Sequence, residues 1–314
     1  PMSLTQQLGS LGVQNMGQDR AQRAAQLLKL LELKQIEENL YQGQNEPENG
    51  KRLFGGQVLA QAAMAAFRTV TGVQAHSLHA YFLRAGRSDL PVLYEVERVR
   101  DGRSFTTRRV VAIQNGRAIF NLDASFHLEE IGLDHSCAMP NVPKPDELLP
   151  DTDVARAVTN AEARRHLSPI AKTHRPFETR SVFPLGSDDW LQNRFWNPTW
   201  LRFPLAVQDE PNAAHRAQGI ARSLLCYASD MGMVSTVYLP HQSQVTRADL
   251  QMASLDHAIW IHRPVQINEW LLFHKRTSTA QGARGMGHAE FFSESGELVA
   301  SVTQEGLVRT REIS

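Results

Sequence analysis

Cysteine is almost missing from this chain: 314 residues contain two, Cys137 and Cys226. Two distant thiols make neither a disulfide framework nor a cysteine-based zinc site, which points to a reducing compartment, the cytoplasm. Long apolar runs are missing too. No stretch approaches the roughly 20 apolar residues that a membrane span requires, and the first residues lack the apolar core of a secretory signal. The closing Arg-Glu-Ile-Ser matches no retention or peroxisomal signal. Nor does either sign of charge dominate, because 33 basic residues face 33 acidic ones. No global field therefore favours nucleic acid or an anionic membrane, and only a local basic patch is left for an anionic ligand. What remains, 42% hydrophobic and 21% charged residues, is the composition of a folded globular protein long enough for two ordinary domains.

Along the chain, leucines 27, 30, 31 and 33 give Asp19 to Lys34 the spacing of a short amphipathic helix. A glycine-bearing loop follows, and then Phe54 to Val70, alanine-rich with leading glycines and no internal breaker, which reads as a buried helix. Four strands are expected next, over Ala75–Ala85, Pro91–Arg100, Ser104–Gln114 and Arg117–Glu129. Asp101-Gly102 and Asn115-Gly116 mark hairpins between them and so an antiparallel sheet. Pro140, Pro143, Pro145 and Pro150 then break any regular pattern, leaving a linker with some helix over Asp153–Arg165. The second half repeats the plan. It has a strand near Glu178–Leu185, a tryptophan-rich strand pair over Trp196–Leu205, and a helix over Pro211–Met231. Strands are expected to follow over Gln251–His262, Glu269–Thr279, Ala283–Ser293 and Glu297–Thr310. The expected organisation is a domain over 1–131, a proline-rich linker over 132–173 and a second domain over 174–314. Each domain is a long helix wrapped by a curved antiparallel sheet, an α+β architecture in tandem.

The two halves differ at one telling place. Counted from turn glycines Gly116 and Gly296, the inward face of the first half's last strand is Ala118, Phe120, Leu122, Ala124 and Phe126. Its counterpart is Leu298, Ala300, Val302, Gln304 and Gly306, so Gln304 stands where the first half has an alanine. A buried carboxamide costs about 1–3 kcal/mol if unpaired, and therefore needs a partner or a ligand. In the second helix, Ile220, Leu224, Tyr227 and Met231 form the apolar stripe. Asp230 flanks it near the helix C-terminus, the end of the macrodipole that disfavours a carboxylate. An exposed polar residue at a frayed end and a functional group fit that position about equally well.

Strand alternation over SLDHAIWIH places Ser254, Asp256, Ala258, Trp260 and His262 on one face and His257 on the other. A Ser254–His257 hydrolase pair is thereby excluded, no G-x-S-x-G elbow occurs, and His257 and His262 do not converge on a metal. Both histidines are expected to be structural, paired with backbone or carboxylate groups. Glycines 282, 285 and 287 lack the lysine and helix of a phosphate loop. Arg103, Arg108 and Arg109 have the charge to meet a phosphate-bearing substrate, although solvation of an edge strand is the commoner use of such residues.

The segments FGGQVLAQA, DGRSFTTRRVVAIQNG, YASDMG, ASLDHAIWIHRP, NEWLL and VASVTQEG together resemble the acyl-CoA thioesterase II family, whose members carry two hotdog domains in one chain. The resemblance spans residues from about 20 to 312. It implies a tandem hotdog that hydrolyses medium- to long-chain fatty acyl-CoA to free fatty acid and coenzyme A, with neither metal nor organic cofactor. It places the catalytic roles on Asp230, Ser254 and Gln304. Asp230 would orient water and accept its proton, while Ser254 and Gln304 hold both in line. Threonine is commoner at the middle position, and serine keeps the hydroxyl but loses the rotamer-restricting methyl. An acyl-enzyme on Asp230 is the mechanistic alternative. The resemblance further implies homodimers or homotetramers of the double unit. A hotdog hydratase or dehydratase and a non-catalytic acyl-CoA binder are the rival readings. The first lacks a D-x-N-x-x-H run, and the second gives a carboxylate beside the thioester little purpose.

Overall fold

The computed structural model describes residues 19–46, 52–167, 175–207 and 213–311. The first half begins with helix α1 (19–30), strands β1 (Lys34–Glu37) and β2 (Leu40–Gly43), and helix α2 (Gly55–Phe67). Strands β3 (Gln74–Phe82), β4 (Val92–Asp101), β5 (Phe105–Gln114) and β6 (Arg117–His127) complete it. Short helices α3 (Asp151–Ala157) and α4 (Ala161–Arg165) lead to β7 (Glu178–Ser181), α5 (Asp188–Gln192) and β8 (Trp196–Arg202). Helix α6 (Ala214–Ser229), helix α7 (Met233–Val237) and strands β9 (Leu250–Ser254), β10 (Asp256–Ile261), β11 (Leu271–Gln281), β12 (Arg284–Ser293) and β13 (Leu298–Thr310) follow.

All strands join one antiparallel sheet in the order β1-β2-β4-β5-β6-β3-β10-β13-β12-β11-β8-β7, with β9 also paired to β13. The halves meet where β3 pairs with β10, from Asp256 opposite Tyr81 to Trp260 opposite Ser77. On the concave side α2 packs along α6. Twelve of the thirteen residues of α2 are buried, which explains its alanines: small side chains let a helix lie between a sheet and a second helix. The inward face of β6 buries Phe120, Leu122, Ala124 and Phe126, and that of β13 buries Ala300, Val302 and Gln304. Asn115 and Gly116 both adopt positive φ, 50° and 69°, as a two-residue hairpin turn between β5 and β6 requires.

Three local expectations change. The first helix stops at residue 30 and the chain turns into the β1–β2 hairpin, whose first strand is exposed throughout and so carries no alternation to read. The tryptophan-rich strand pair is a single strand, β8, and its neighbours are β7 and β11. The start of the second long helix at Pro211 lies outside the described residues. The single strand over 251–262 is two: Ser254 pairs with Gly306 while Ala258 pairs with Thr303, so one extra residue is accommodated near Leu255. Such a bulge reverses the alternation beyond it.

Met139, Val142 and Leu148, from the proline-rich segment, pack with Trp200, Trp270 and Phe292 as a small core separate from the main one. Gly285, Gly287 and Gly306 carry α7. A Cβ on Gly285 would lie 2.1 Å from Val237 Cγ1, and one on Gly306 would lie 3.0 Å from Val234. Those glycines therefore serve helix-to-sheet approach.

Candidate active site

Asp230 is the C-cap of α6 and is 7% exposed. The bulge at Leu255 turns Ser254 toward it, and the inward face of β13 brings Gln304 from the other side. Ser254 Oγ donates to Asp230 Oδ1 at 3.2 Å, and Gln304 Nε2 donates to the same oxygen at 3.0 Å and to Ser254 Oγ at 2.7 Å. The three residues singled out in the sequence thus form one hydrogen-bonded cluster. Burial pushes the Asp230 carboxyl up to about 6, against the opposing effect of hydrogen bonds from Gln304, Ser254 and the Gly56 backbone. A carboxyl in that range is mostly ionised at pH 7 yet far more basic than an exposed aspartate, as a general base requires.

Gly56 belongs to the first half, and no local pattern says which group it meets. At the start of α2, a Cβ on Gly55 would lie 2.8 Å from Asp230 Oδ2, and one on Gly56 would lie 2.5 Å from the Tyr227 carbonyl oxygen. Only glycine lets the positive end of α2 come this close to the carboxylate. The first half therefore contributes a backbone donor as well as packing and pocket wall. The leading glycines before the alanine-rich run were the available signal.

His257 is the second residue the sequence reading missed. The bulge places it on the same side as Ser254, contrary to strict alternation. Its Nδ1 lies 2.7 Å from Gln304 Oε1 and its Nε2 2.8 Å from Ser229 Oγ. The expected backbone or carboxylate partner is replaced by a carboxamide and a hydroxyl. Ser254 and His257 still do not pair directly; Gln304 stands between them. His262 bonds Ser301 Oγ at 2.8 Å, away from the site.

Asp230 and Ser254 open into a cavity of about 590 Å³ between the halves. Phe54, Gly55, Phe82 and Ile119 line it from the first half, and Met231, Gly232, Met252 and Leu255 from the second. Four arginines also line it, Arg52, Arg84, Arg175 and Arg247, and among the described residues Asp230 is the only carboxylate in its lining. These are not the arginines the sequence suggested. Arg108 is buried and held by Thr69 and Asp101, Arg109 is paired with Asp123 and Glu97, and Arg103 is exposed in a turn. A second cavity, of about 230 Å³, adjoins at Arg175, Met231 and Gly232 and reaches between α3 and strands β7, β8 and β11, past Phe177, Leu201, Phe273 and the buried Lys275.

Two helices packed within one twelve-strand path, each half repeating the other, define a double hotdog. A protein from Alicyclobacillus acidocaldarius described as having a hot dog fold shares this fold, with a TM-score of 0.69 at 17% identity over 91% of this chain and 98% of its own. The crystal structure of an acyl-CoA thioesterase II, TesB2, from Mycobacterium marinum matches with a TM-score of 0.72 and 34% identity, covering 92% of this chain and 98% of that one. Acyl-CoA thioesterase 2 of Haemophilus influenzae is 33% identical over 91% of this chain and 98% of its own length. Human acyl-coenzyme A thioesterase 8 is 34% identical over 92% and 90%. Family models described as acyl-CoA thioesterase and acyl-CoA thioesterase N-terminal domain match residues 210–307 and 45–127. The chain belongs to the acyl-CoA thioesterase II family, and it is an acyl-CoA thioester hydrolase.

Proposed function

We propose that Asp230, Ser254 and Gln304 hydrolyse medium- to long-chain fatty acyl-CoA by direct attack of water. The observation that carries this reading is a buried carboxylate, its basicity raised by burial, held by two neutral donors at the wall of an arginine-lined cavity. Ser254 and Gln304 occupy Asp230 Oδ1. Oδ2, beside Gly55, is then the oxygen that takes a proton from water. The water oxygen bonds to the thioester carbon, and the negative charge that forms on the carbonyl oxygen faces the positive N-terminal end of α2. The carbon–sulfur bond breaks as the tetrahedral intermediate collapses, and the proton held by Asp230 passes to the departing thiolate. Positioning and one base suffice because a thioester carbonyl is already electrophilic.

The acyl chain runs past Met231 into the cavity between α3 and the sheet, while the phosphates of coenzyme A meet the arginines lining the larger cavity, Arg52, Arg84, Arg175 and Arg247. A residue division of 1–131, 132–173 and 174–314 assigns most of the chemistry to the second domain. Free thiols at Cys137 and Cys226 are compatible with a cytoplasmic enzyme of lipid metabolism, and we expect homodimers or homotetramers of the double unit. Among the described residues no helix is long and apolar enough to cross a membrane. A thiol-release assay with short, medium and long acyl-CoAs tests reaction and chain length together. Asp230→Ala and Gln304→Ala are each expected to lower kcat by at least ~10²-fold in a folded protein. Full turnover in Asp230→Ala would overturn the assignment.

A further inference from the structure

Gln304 is itself held from behind, and the way it is held has chemical content. A carboxamide is nearly the same shape at its two ends, so packing alone does not decide which end faces Asp230. Reversed, it would set oxygen against an ionised carboxylate. The end remote from Asp230 meets His257 Nδ1 at 2.7 Å, and the other ring nitrogen meets Ser229 Oγ at 2.8 Å. His257 and Gln304 are each 1% exposed and Ser229 is fully buried, so no solvent is at hand to replace a missing partner.

We infer that His257 and Ser229 are positioning residues for the reaction, a buried tautomer lock that keeps the Gln304 amide nitrogen toward Asp230 and Ser254. The proton inventory requires one arrangement when Asp230 is ionised. Gln304 Nε2 donates to Asp230 and Ser254, so Gln304 Oε1 must receive a proton, and His257 Nδ1–H supplies it. Burial pushes His257 down to about 4, so the ring is neutral at pH 7 and its Nε2 is a bare acceptor. Ser229 must then point its hydroxyl hydrogen at Nε2 rather than at the Cys226 carbonyl oxygen, which lies equally near at 2.8 Å. Were Ser229 to choose Cys226, the ring would carry its proton on Nε2, and the bare Nδ1 would repel Gln304 Oε1 and favour the reversed amide.

The internal repeat argues that this chain of polar groups is not a packing requirement. Ala258 pairs with Thr303 and so sets His257 beside Gln304, while the same cross-strand place in the first half pairs Leu78 with Ala124. Leu78 and Ala124 are both essentially fully buried. A leucine and an alanine fill the position where only structure is needed; a histidine, a glutamine and a serine fill it beside the carboxylate.

The test uses the full chain labelled with ¹⁵N-histidine, in which the His257 resonances are identified by their loss in His257→Asn. At pH 7 the wild type is expected to show protonated Nδ1 and bare Nε2, and Ser229→Ala is expected to shift the proton toward Nε2. In thiol release, Ser229→Ala should lower kcat on the order of 10-fold with KM nearly constant, and His257→Leu on the order of 100-fold, as removal of an oriented donor does. His257→Asn, whose Nδ2–H stands where Nδ1–H stood, should recover kcat to within roughly 10-fold of wild type, and adding Ser229→Ala to it should change nothing further. The kinetic arm rests on the proposed role of Asp230; the tautomer does not, so the two readings fail separately. An Nε2-protonated wild-type ring would overturn the inference. So would a Ser229→Ala protein with a shifted tautomer and unchanged kcat, or variants whose losses merely follow their thermal stability.

Discussion

Replacing Asp230 by asparagine should abolish turnover and make the protein more stable. The carboxyl is raised from 3.8 to about 6, chiefly by burial, so ionising it in the folded state costs about 3 kcal/mol relative to the unfolded chain. The sign follows from the direction. A folded-state value above the unfolded one gives stability that is complete below pH 3.8, declines as pH rises, and is gone above about pH 6. Asparagine does not ionise and keeps an acceptor for Ser254 and Gln304. Its amide nitrogen is a donor and cannot accept from the Gly56 N–H, so that bond is lost at a cost of about 1 kcal/mol. The net gain at pH 8 is therefore about 2 kcal/mol. With an unfolding entropy of roughly 2 cal/mol/K per residue over this chain length, Asp230→Asn should raise Tm by ~3 °C at pH 8. At pH 5 the gain should shrink to about 0.6 kcal/mol, or roughly 1 °C, since nearly half of the ionisation penalty has gone while the hydrogen-bond loss remains. Scanning calorimetry of both proteins at the two pH values measures this. An Asp230→Asn protein no more stable than wild type at pH 8, or equally stabilised at pH 5, would refute the reasoning.

The same carboxyl sets the acid limb of the rate profile: kcat for thiol release should fall as pH drops through about 6, and a limb near pH 4 would show that burial does not tune the base. The arginines lining the cavity predict a split between substrates. Arg175→Ala and Arg247→Ala should raise KM for an acyl-CoA on the order of 10-fold each while leaving the acyl-pantetheine, which lacks the nucleotide and its phosphates, nearly untouched. Equal effects on both substrates would count against a phosphate role.

The repeat was legible because strand alternation and the Asn-Gly turn are local signals, and the mismatch of Gln304 with Ala124 needed only the two halves side by side. Asp230 was legible as a residue poorly placed for helix stability. The bulge at Leu255 was not, because nothing in SLDHAIW marks an extra residue, and strict alternation then put His257 on the wrong face. The contribution of Gly56 was hidden for a different reason. It depends on α2 of one half approaching the end of α6 of the other, a contact across more than 170 positions of chain that no local pattern encodes. Charge misled in a similar way: the dense Arg103, Arg108 and Arg109 are absorbed by Asp101, Asp123 and Glu97 or left in a turn, whereas the arginines lining the cavity are scattered from 52 to 247.

The central claim is that Asp230 delivers water to the thioester and is not itself acylated. A single turnover in ¹⁸O-water, with enzyme in excess over acyl-CoA, followed by mass analysis of the released acid and of the Asp230 peptide, separates the two routes. Label in the fatty acid with an unlabelled Asp230 peptide is the predicted result; label in the Asp230 carboxyl would contradict it.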